Sequence, residues 1–319
     1  MIVTERPGRT CPIHYRYRPE QLCKAPDPAD ADVIYIVGGL YGNPFALDAI
    51  EALADQERAQ GHRVRLVFNG DFNWFNRDAE AFQQINNRVL AHDVVLGNVE
   101  YELAHPSPNA GCGCAYPDFV DDAVVARSNR IMRALQAIAA DFPEIQSRLR
   151  RAPRWQCLTL ADQRILILHG DPESLAGWGL AHEVLSQRKH DVRVADWFTR
   201  TDADLIACTH TCLPAIWQDD YYTVTNNGSA GMGNLKDDHR GLVTRIATNV
   251  ASVPPTDALM TVHQGPLAVS LMPVPFDLEG WLSLFDRWWP TGSDAALSYR
   301  SRILWGTPLD ALDLVFRRS

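Results

Sequence analysis

No stretch of this sequence approaches the ~20 consecutive apolar residues of a membrane-spanning helix. The first residues lack an apolar core as well. Charge begins at Glu5, so no secretory signal is expected, and a cytoplasmic location is the default that follows. Basic residues are scarce relative to acidic ones, 30 Lys and Arg against 39 Asp and Glu, for a formal net charge of −9. That balance argues against a general nucleic-acid-binding surface, because phosphate backbones are held by clustered cations. Nucleotide-binding glycine motifs are missing. Gly38-Gly39-x-x-Gly42 matches neither G-x-G-x-x-G nor the Walker pattern, which needs a Lys after its last glycine. The spacing of a zinc knuckle or redox pair is missing too: among seven cysteines, Cys112 and Cys114 are one residue apart, not two. An odd cysteine count without a secretory signal fits reduced thiols. There is no low-complexity tract and no solenoid repeat.

What is present is a series of apolar runs that end in polar, metal-capable residues. Leu66-Val67-Phe68 runs into Asn69-Gly70-Asp71. Val94-Val95-Leu96 runs into Gly97-Asn98-Val99-Glu100, Ile165–Leu168 into His169-Gly170-Asp171, and Leu205-Ile206-Ala207 into Cys208-Thr209-His210. Short apolar runs with β-branched residues read as buried strands, and Gly-Asp reads as a sharp turn after one. In open α/β sheets ligands bind at the carboxyl ends of strands. These tips therefore gather candidate ligands: carboxylate, carboxamide, imidazole and thiol.

The 319 residues suffice for one large or two small domains, and 46% of them are hydrophobic. Residues 1–30 read as an N-terminal arm, 31–275 as the main domain, and 276–319 as a C-terminal helical extension packed on it through Trp281, Trp288, Trp289 and Trp305. Val33–Val37 is a strand ended by glycines. Asn43-Pro44 then opens a helix, Asn43 as N-cap and Pro44 in the first turn. A helix is predicted over 78–91 and another mostly over 118–149, broken at Phe142-Pro143. A hairpin over 155–168, a helix over 173–188 and strands over 192–195, 205–208, 221–225, 241–248 and 267–272 complete the reading. Tandem β-α-β units followed by short strands suggest a two-sheet α/β sandwich. The cluster Arg148, Arg150, Arg151 and Arg154 reads as a solvated linker, or alternatively as a phosphate-steering patch. The Cys112/Cys114 segment reads as a tight glycine turn, or alternatively as a loop lining a site.

In order, the motifs resemble those of the calcineurin-like metallophosphoesterases: D-x-H, G-D, G-N-H-E/D, H-G-D, G-H-x-H and N-P-G-S. Here stand Gly39-Leu40-Tyr41-Gly42-Asn43, Gly70-Asp71, Gly97-Asn98-Val99-Glu100, His169-Gly170-Asp171, Ala207-Cys208-Thr209-His210 and Asn226-Asn227-Gly228-Ser229. The resemblance spans about residues 32–230 and implies a four-layer α/β/β/α sandwich with two metals at its edge. By position the first metal would fall to Gly39, Tyr41, Asp71 and His210, of which only the last two are good ligands. The second would fall to Asp71, Asn98, His169 and Cys208, all able to coordinate. Val99 stands where the family has a histidine that serves the phosphate or the leaving group.

The resemblance thus implies a metal-dependent phosphoesterase-like hydrolase with a degenerate, single-metal site. Asp71, Asn98, His169, Cys208 and His210 are its candidate ligands and a small phosphorylated compound its substrate. The metal would be a divalent transition ion (zinc, iron or manganese), a thiolate at Cys208 favouring zinc or iron. Glu100 and His105 are the candidate acids, with His182 a further one. Tyr41, Asn43 and Gly97 are candidates for substrate binding. Asp171 is expected to orient His169. The alternative is a catalytically inactive member of the fold that acts as a binding or scaffold protein. Nothing in the sequence decides oligomeric state.

Overall fold

The computed structural model describes residues 6–107 and 109–318. In chain order the elements begin with β1 (Asp27–Pro28), β2 (Val33–Val37), α1 (Pro44–Ala59), β3 (Val64–Asn69), α2 (Ala79–Val89), β4 (Asp93–Val95) and α3 (Asn98–Ala104). Next come α4 (Asp122–Ala139), α5 (Pro143–Arg151), β5 (Trp155–Leu160), β6 (Gln163–Leu168), α6 (His182–Leu185), α7 (Asp191–Thr201), β7 (Leu205–Cys208), β8 (Pro214–Gln218) and β9 (Thr223–Asn227). The chain closes with β10 (Gly241–Ala247), β11 (Met260–Gln264), β12 (Leu267–Val274), α8 (Leu278–Trp288), α9 (Asp294–Trp305) and β13 (Val315–Arg317).

Two sheets form the centre. One runs β11-β12-β10-β2-β3-β4 and the other β1-β5-β6-β7-β9-β8-β13. Strands β2, β3 and β4 are mutually parallel, as are β6, β7 and β9. Strand alternation divides the apolar residues between two faces. Ile34, Ile36, Val67, Ile165, Ile167, Leu205 and Ala207 point into the space between the sheets. The opposite face of the first sheet is covered by α1, α2, α4, α5, α8 and α9 through residues such as Leu47, Phe82, Leu135, Leu149, Phe285 and Ile303. That of the second is covered by α6 and α7 through Leu185, Trp197 and Phe198. The result is a four-layer α/β/β/α sandwich. Among the described residues no helix is long and apolar enough to cross a membrane.

Several local readings hold. The Asn43 side chain accepts from the amides of Phe45 and Ala46, and Pro44 opens α1. The helix break falls at Phe142-Pro143, between α4 and α5. The hairpin β5–β6 turns through Ala161 and Asp162, both with positive φ (47° and 63°), as a two-residue primed turn demands. Trp281, Trp288 and Trp289 are buried in the core with the helices of the tail, while Trp305 is exposed.

Other readings are corrected. Residues 192–195 belong to helix α7, whose Val194, Trp197, Phe198 and Thr201 are buried at helical spacing. The helix expected over 173–188 shrinks to α6. Asp171 explains this: its carboxylate accepts from the amides of Glu173, Ser174 and Gly179 and holds the segment as a loop. The arginine cluster is solvated as expected but helical rather than a linker: Arg148, Arg150 and Arg151 are exposed on α5, with Arg148 donating to the Leu90 carbonyl, Arg150 to Ala104 and Arg154 to His14. The thiols are not all reduced. Cys23 pairs with Cys157, tying the N-terminal arm to β5, and Cys112 pairs with Cys114; Cys11, Cys208 and Cys212 are free.

Candidate metal centre

The carboxyl ends of β2, β3, β4, β6, β7 and β9 lead to one edge of the sandwich. Turn geometry there is tight. Gly70 has φ +80°, and a Cβ on it would lie 2.4 Å from the Gly97 backbone. A Cβ on Gly97 would lie 2.5 Å from Asp71 Oδ1. Two glycines thus let the β3 and β4 loops touch, which sets Asp71 beside Asn98. Asp71 has a left-handed backbone (φ 55°), as do Tyr41 (φ 55°) and Cys212 (φ 60°). Such conformations cost free energy in non-glycine residues and concentrate at functional sites.

Asp71, His169 and His210 are buried, and one ligand atom from each lies within 4.8 Å of the others. His169 Nε2 is 3.4 Å from Asp71 Oδ1, 3.1 Å from Asn98 Oδ1 and 3.1 Å from His210 Nδ1. The outer atoms of these side chains are committed elsewhere. His169 Nδ1 donates to the Asn69 carbonyl (2.9 Å), His210 Nε2 to the Cys114 carbonyl (3.0 Å) and Asn98 Nδ2 to the Cys112 carbonyl (2.9 Å). Both rings are thereby fixed in the tautomer that turns a bare nitrogen inward, and Asn98 turns its oxygen inward. Four lone-pair atoms converge with no donor among them unless His169 takes a second proton. The donor set fits a divalent transition ion: one carboxylate, two neutral imidazoles and one carboxamide oxygen.

Electrostatics keep His210 neutral and favour opposite charges on Asp71 and His169, a charge on His169 that a bound cation would displace. Burial and the neighbouring His169 push His210 down to about 3, so its ring is neutral at ordinary pH. Burial alone would raise the Asp71 carboxyl, but His169 overrides it and the net shift is downward. Burial likewise works against charge on His169, yet Asp71 draws its pKa above the usual imidazole value.

Asp71, Asn98, His169 and His210 come together. Cys208 does not join them. It sits on the helix-covered face of β7 with Ile206, among Leu166, Leu168 and Trp197, and burial drives its thiol pKa far up. The β7 loop brings His210 to the site, as the resemblance implies, and adds Cys212 two residues later. Glu100 is fully buried behind the site, where its carboxylate accepts from the backbone amides of Asp71 (2.6 Å) and Asn73 (3.1 Å). Burial and the Asp71 charge push it up to about 7. His105 is exposed at the end of α3, its ring against Tyr101. His182 Nδ1 donates to the Pro214 carbonyl (2.9 Å), and the ring packs on Phe316. Asn43 is consumed by its cap and by Gly231. Gly97 lies against Asp71, and Tyr41 faces the cavity. The Asn69 carbonyl, not Asp171, orients His169.

Where the resemblance places a first metal, this chain has a Tyr–Cys pair. Tyr41 OH is 2.5 Å from Cys212 Sγ. A Cβ on Gly39 would lie 3.1 Å from the Tyr41 ring, so the ring fills the room an aspartate there would need. Burial pushes Tyr41 well above the usual phenol value and Cys212 up to about 11, leaving both neutral. The cluster is thus degenerate, able to coordinate one ion and lacking a full two-metal ligand set.

Above the cluster opens a cavity of about 280 Å³, whose wall includes Tyr41, Asp71, Asn98, Cys114, His210 and Cys212. Sequence reading missed Cys212 and the aromatic wall; the only signal was Cys212 lying two residues beyond His210, as the motif's paired ligands do.

No protein-family model matches the sequence, and no curated protein does. Solved structures do. A hypothetical protein from Pyrococcus horikoshii superposes with TM-score 0.57 at 14% identity, over 87% of this chain and 99% of that one. A metallophosphoesterase from Sphaerobacter thermophilus superposes with TM-score 0.53 at 15% identity, over 87% of this chain and 100% of that one. The fold is that of the calcineurin-like phosphoesterases. At such identities the likeness is one of architecture, and the chemistry has to be argued from the site itself.

Proposed function

We propose that this chain is a phosphoesterase-like hydrolase working with a single divalent transition metal held by Asp71, Asn98, His169 and His210. The observation that carries the reading is the convergence of four lone-pair atoms with their outer partners already fixed. Leaving a carboxylate and three other acceptors face to face in a buried site is costly without a cation. Such an ion would supply Lewis-acid activation of water and of a phosphoryl oxygen. Glu100 acts as a positioning residue, holding the strained Asp71 turn through two backbone amides. Cys208 lies outside the site, so no thiolate favours zinc or iron, and the donors suit zinc, iron and manganese alike. A small phosphorylated compound is the expected substrate.

A second reading is an inactive binding protein on the same fold, favoured by Val99 in the place of the family histidine and by the Tyr41–Cys212 pair in the first metal position. A panel of phosphate mono- and diesters, assayed on metal-loaded protein and on Asp71→Asn, separates the two. Turnover lost in Asp71→Asn supports the hydrolase. Metal binding without turnover of any ester supports the binding protein.

A further inference from the structure

The cavity over the metal cluster has an unusual wall, and the wall bears on substrate class. Besides Tyr41, which is paired with Cys212, four aromatic rings from separate segments line it: Trp74, Tyr116, Trp178 and Tyr299. They are braced. The Trp178 indole donates to the Cys114 carbonyl (2.9 Å) and meets His210 edge to face at 5.6 Å. The Tyr116 hydroxyl pairs with Ser128 (3.1 Å), and Trp74 meets Tyr299 edge to face at 6.3 Å. Rings held in place before binding lose little entropy when a ligand arrives.

Charge and size narrow the ligand further. Among the described lining residues Arg127 is the cation and Asp71 the carboxylate. Arg127 donates to Ser298 (2.7 Å); the carboxylate its charge acts on, Asp294, is bonded to Arg130 instead. One guanidinium plus one metal suits a single phosphoryl group; a polyphosphate or nucleic-acid strand would call for several cations. A volume of about 280 Å³ lies at the lower edge of ligand cavities, too small for a long acyl chain.

We propose that this cavity is a subsite for one planar ring, so that the site takes small phosphate esters of a phenol-like alcohol. The inference rests on the single-metal phosphoesterase reading above. The phosphoryl group would face the cluster and the ring would lie among Trp74, Tyr116, Trp178 and Tyr299. Offset and edge-to-face ring contacts add stabilisation beyond that of a saturated ring of equal size.

The test uses the metal-loaded full chain and three phosphonates, which cannot be hydrolysed: phenylphosphonate, cyclohexylphosphonate and methylphosphonate. Titration calorimetry is expected to find phenylphosphonate bound roughly 5-fold tighter than cyclohexylphosphonate. Trp74→Leu is expected to erase that preference while methylphosphonate affinity stays unchanged. If the saturated ring binds as well as the aromatic one while methylphosphonate still binds, the ring subsite is overturned and the phosphoesterase reading stands. If no phosphonate binds the metal-loaded chain, both fall. The wild-type comparison needs no variant to fold.

Discussion

His169 and His210 turn their inner nitrogens toward each other, Nε2 to Nδ1 at 3.1 Å, while each outer nitrogen is engaged by a backbone carbonyl. Two neutral imidazoles in that arrangement repel; a shared cation, or a proton on His169, reconciles them. Most of what is expected of this molecule follows from which of the two it is.

The ligand assignment is checked by Cys208→Ser. Because Cys208 lies on the far face of β7 among apolar side chains, the substitution is expected to leave bound metal unchanged. It should instead lower stability by about 1–3 kcal/mol, for a hydroxyl buried among apolar groups. Elemental analysis and urea denaturation of the same sample give both answers. A fall in metal content would return Cys208 to the ligand set.

Tyr41→Phe removes only the hydroxyl that meets Cys212. The expected cost is about 1 kcal/mol, that of one hydrogen bond, with metal content unchanged. Metal loss in this variant would show that the phenol oxygen is a ligand and that the first family position is occupied after all.

Much of the site was legible because strand tips are legible. Apolar runs ending in Gly-Asp, Gly-Asn and His-Gly put Asp71, Asn98 and His169 at one sheet edge, and the structure agrees. Cys208 was misread for a physical reason: alternation along β7 decides which face a side chain takes, and the last strand residue still obeys it. Residues 192–195 were misread because Val192 and Val194 alternate locally, whereas the buried positions repeat at helical spacing through Thr201. The aromatic wall was invisible. Trp74, Tyr116, Trp178 and Tyr299 lie far apart in sequence, and only tertiary packing brings them together.

A structural ion pair far from the site offers an independent check on the core. Arg245 on β10 and Glu57 on α1 are both fully buried, with Nε to Oε1 at 2.6 Å, and Tyr35 donates to the same Glu57 oxygen at 3.0 Å. Arg245→Met alone strands a buried carboxylate and is expected to cost about 3–5 kcal/mol. Adding Glu57→Leu should restore much of it. Chemical denaturation of the two variants measures this, and equal losses in both would contradict a coupled pair.

Glu100 makes metal-free stability depend on pH. Its folded pKa of about 7 lies above the ordinary 4.5, raised by burial and by the facing Asp71. Below the ordinary value the group is protonated in both states and carries no penalty. As pH rises toward 7 the unfolded chain ionises first, so stability falls; above 7 the loss levels off at a few kcal/mol. Denaturation in chelator between pH 4.5 and 8 should show this decline, and Glu100→Gln should flatten it. An unchanged slope in Glu100→Gln would assign the decline to other groups.

The most direct test of the central claim is elemental analysis of protein purified without chelators, wild type beside Asp71→Asn. The account expects one equivalent of zinc, iron or manganese per chain in the wild type, and a loss of most of it in the variant. Two equivalents would mean that the Tyr41–Cys212 pair does not close the first position. No metal, with His169 carrying the charge as a protonated imidazole, would contradict the account.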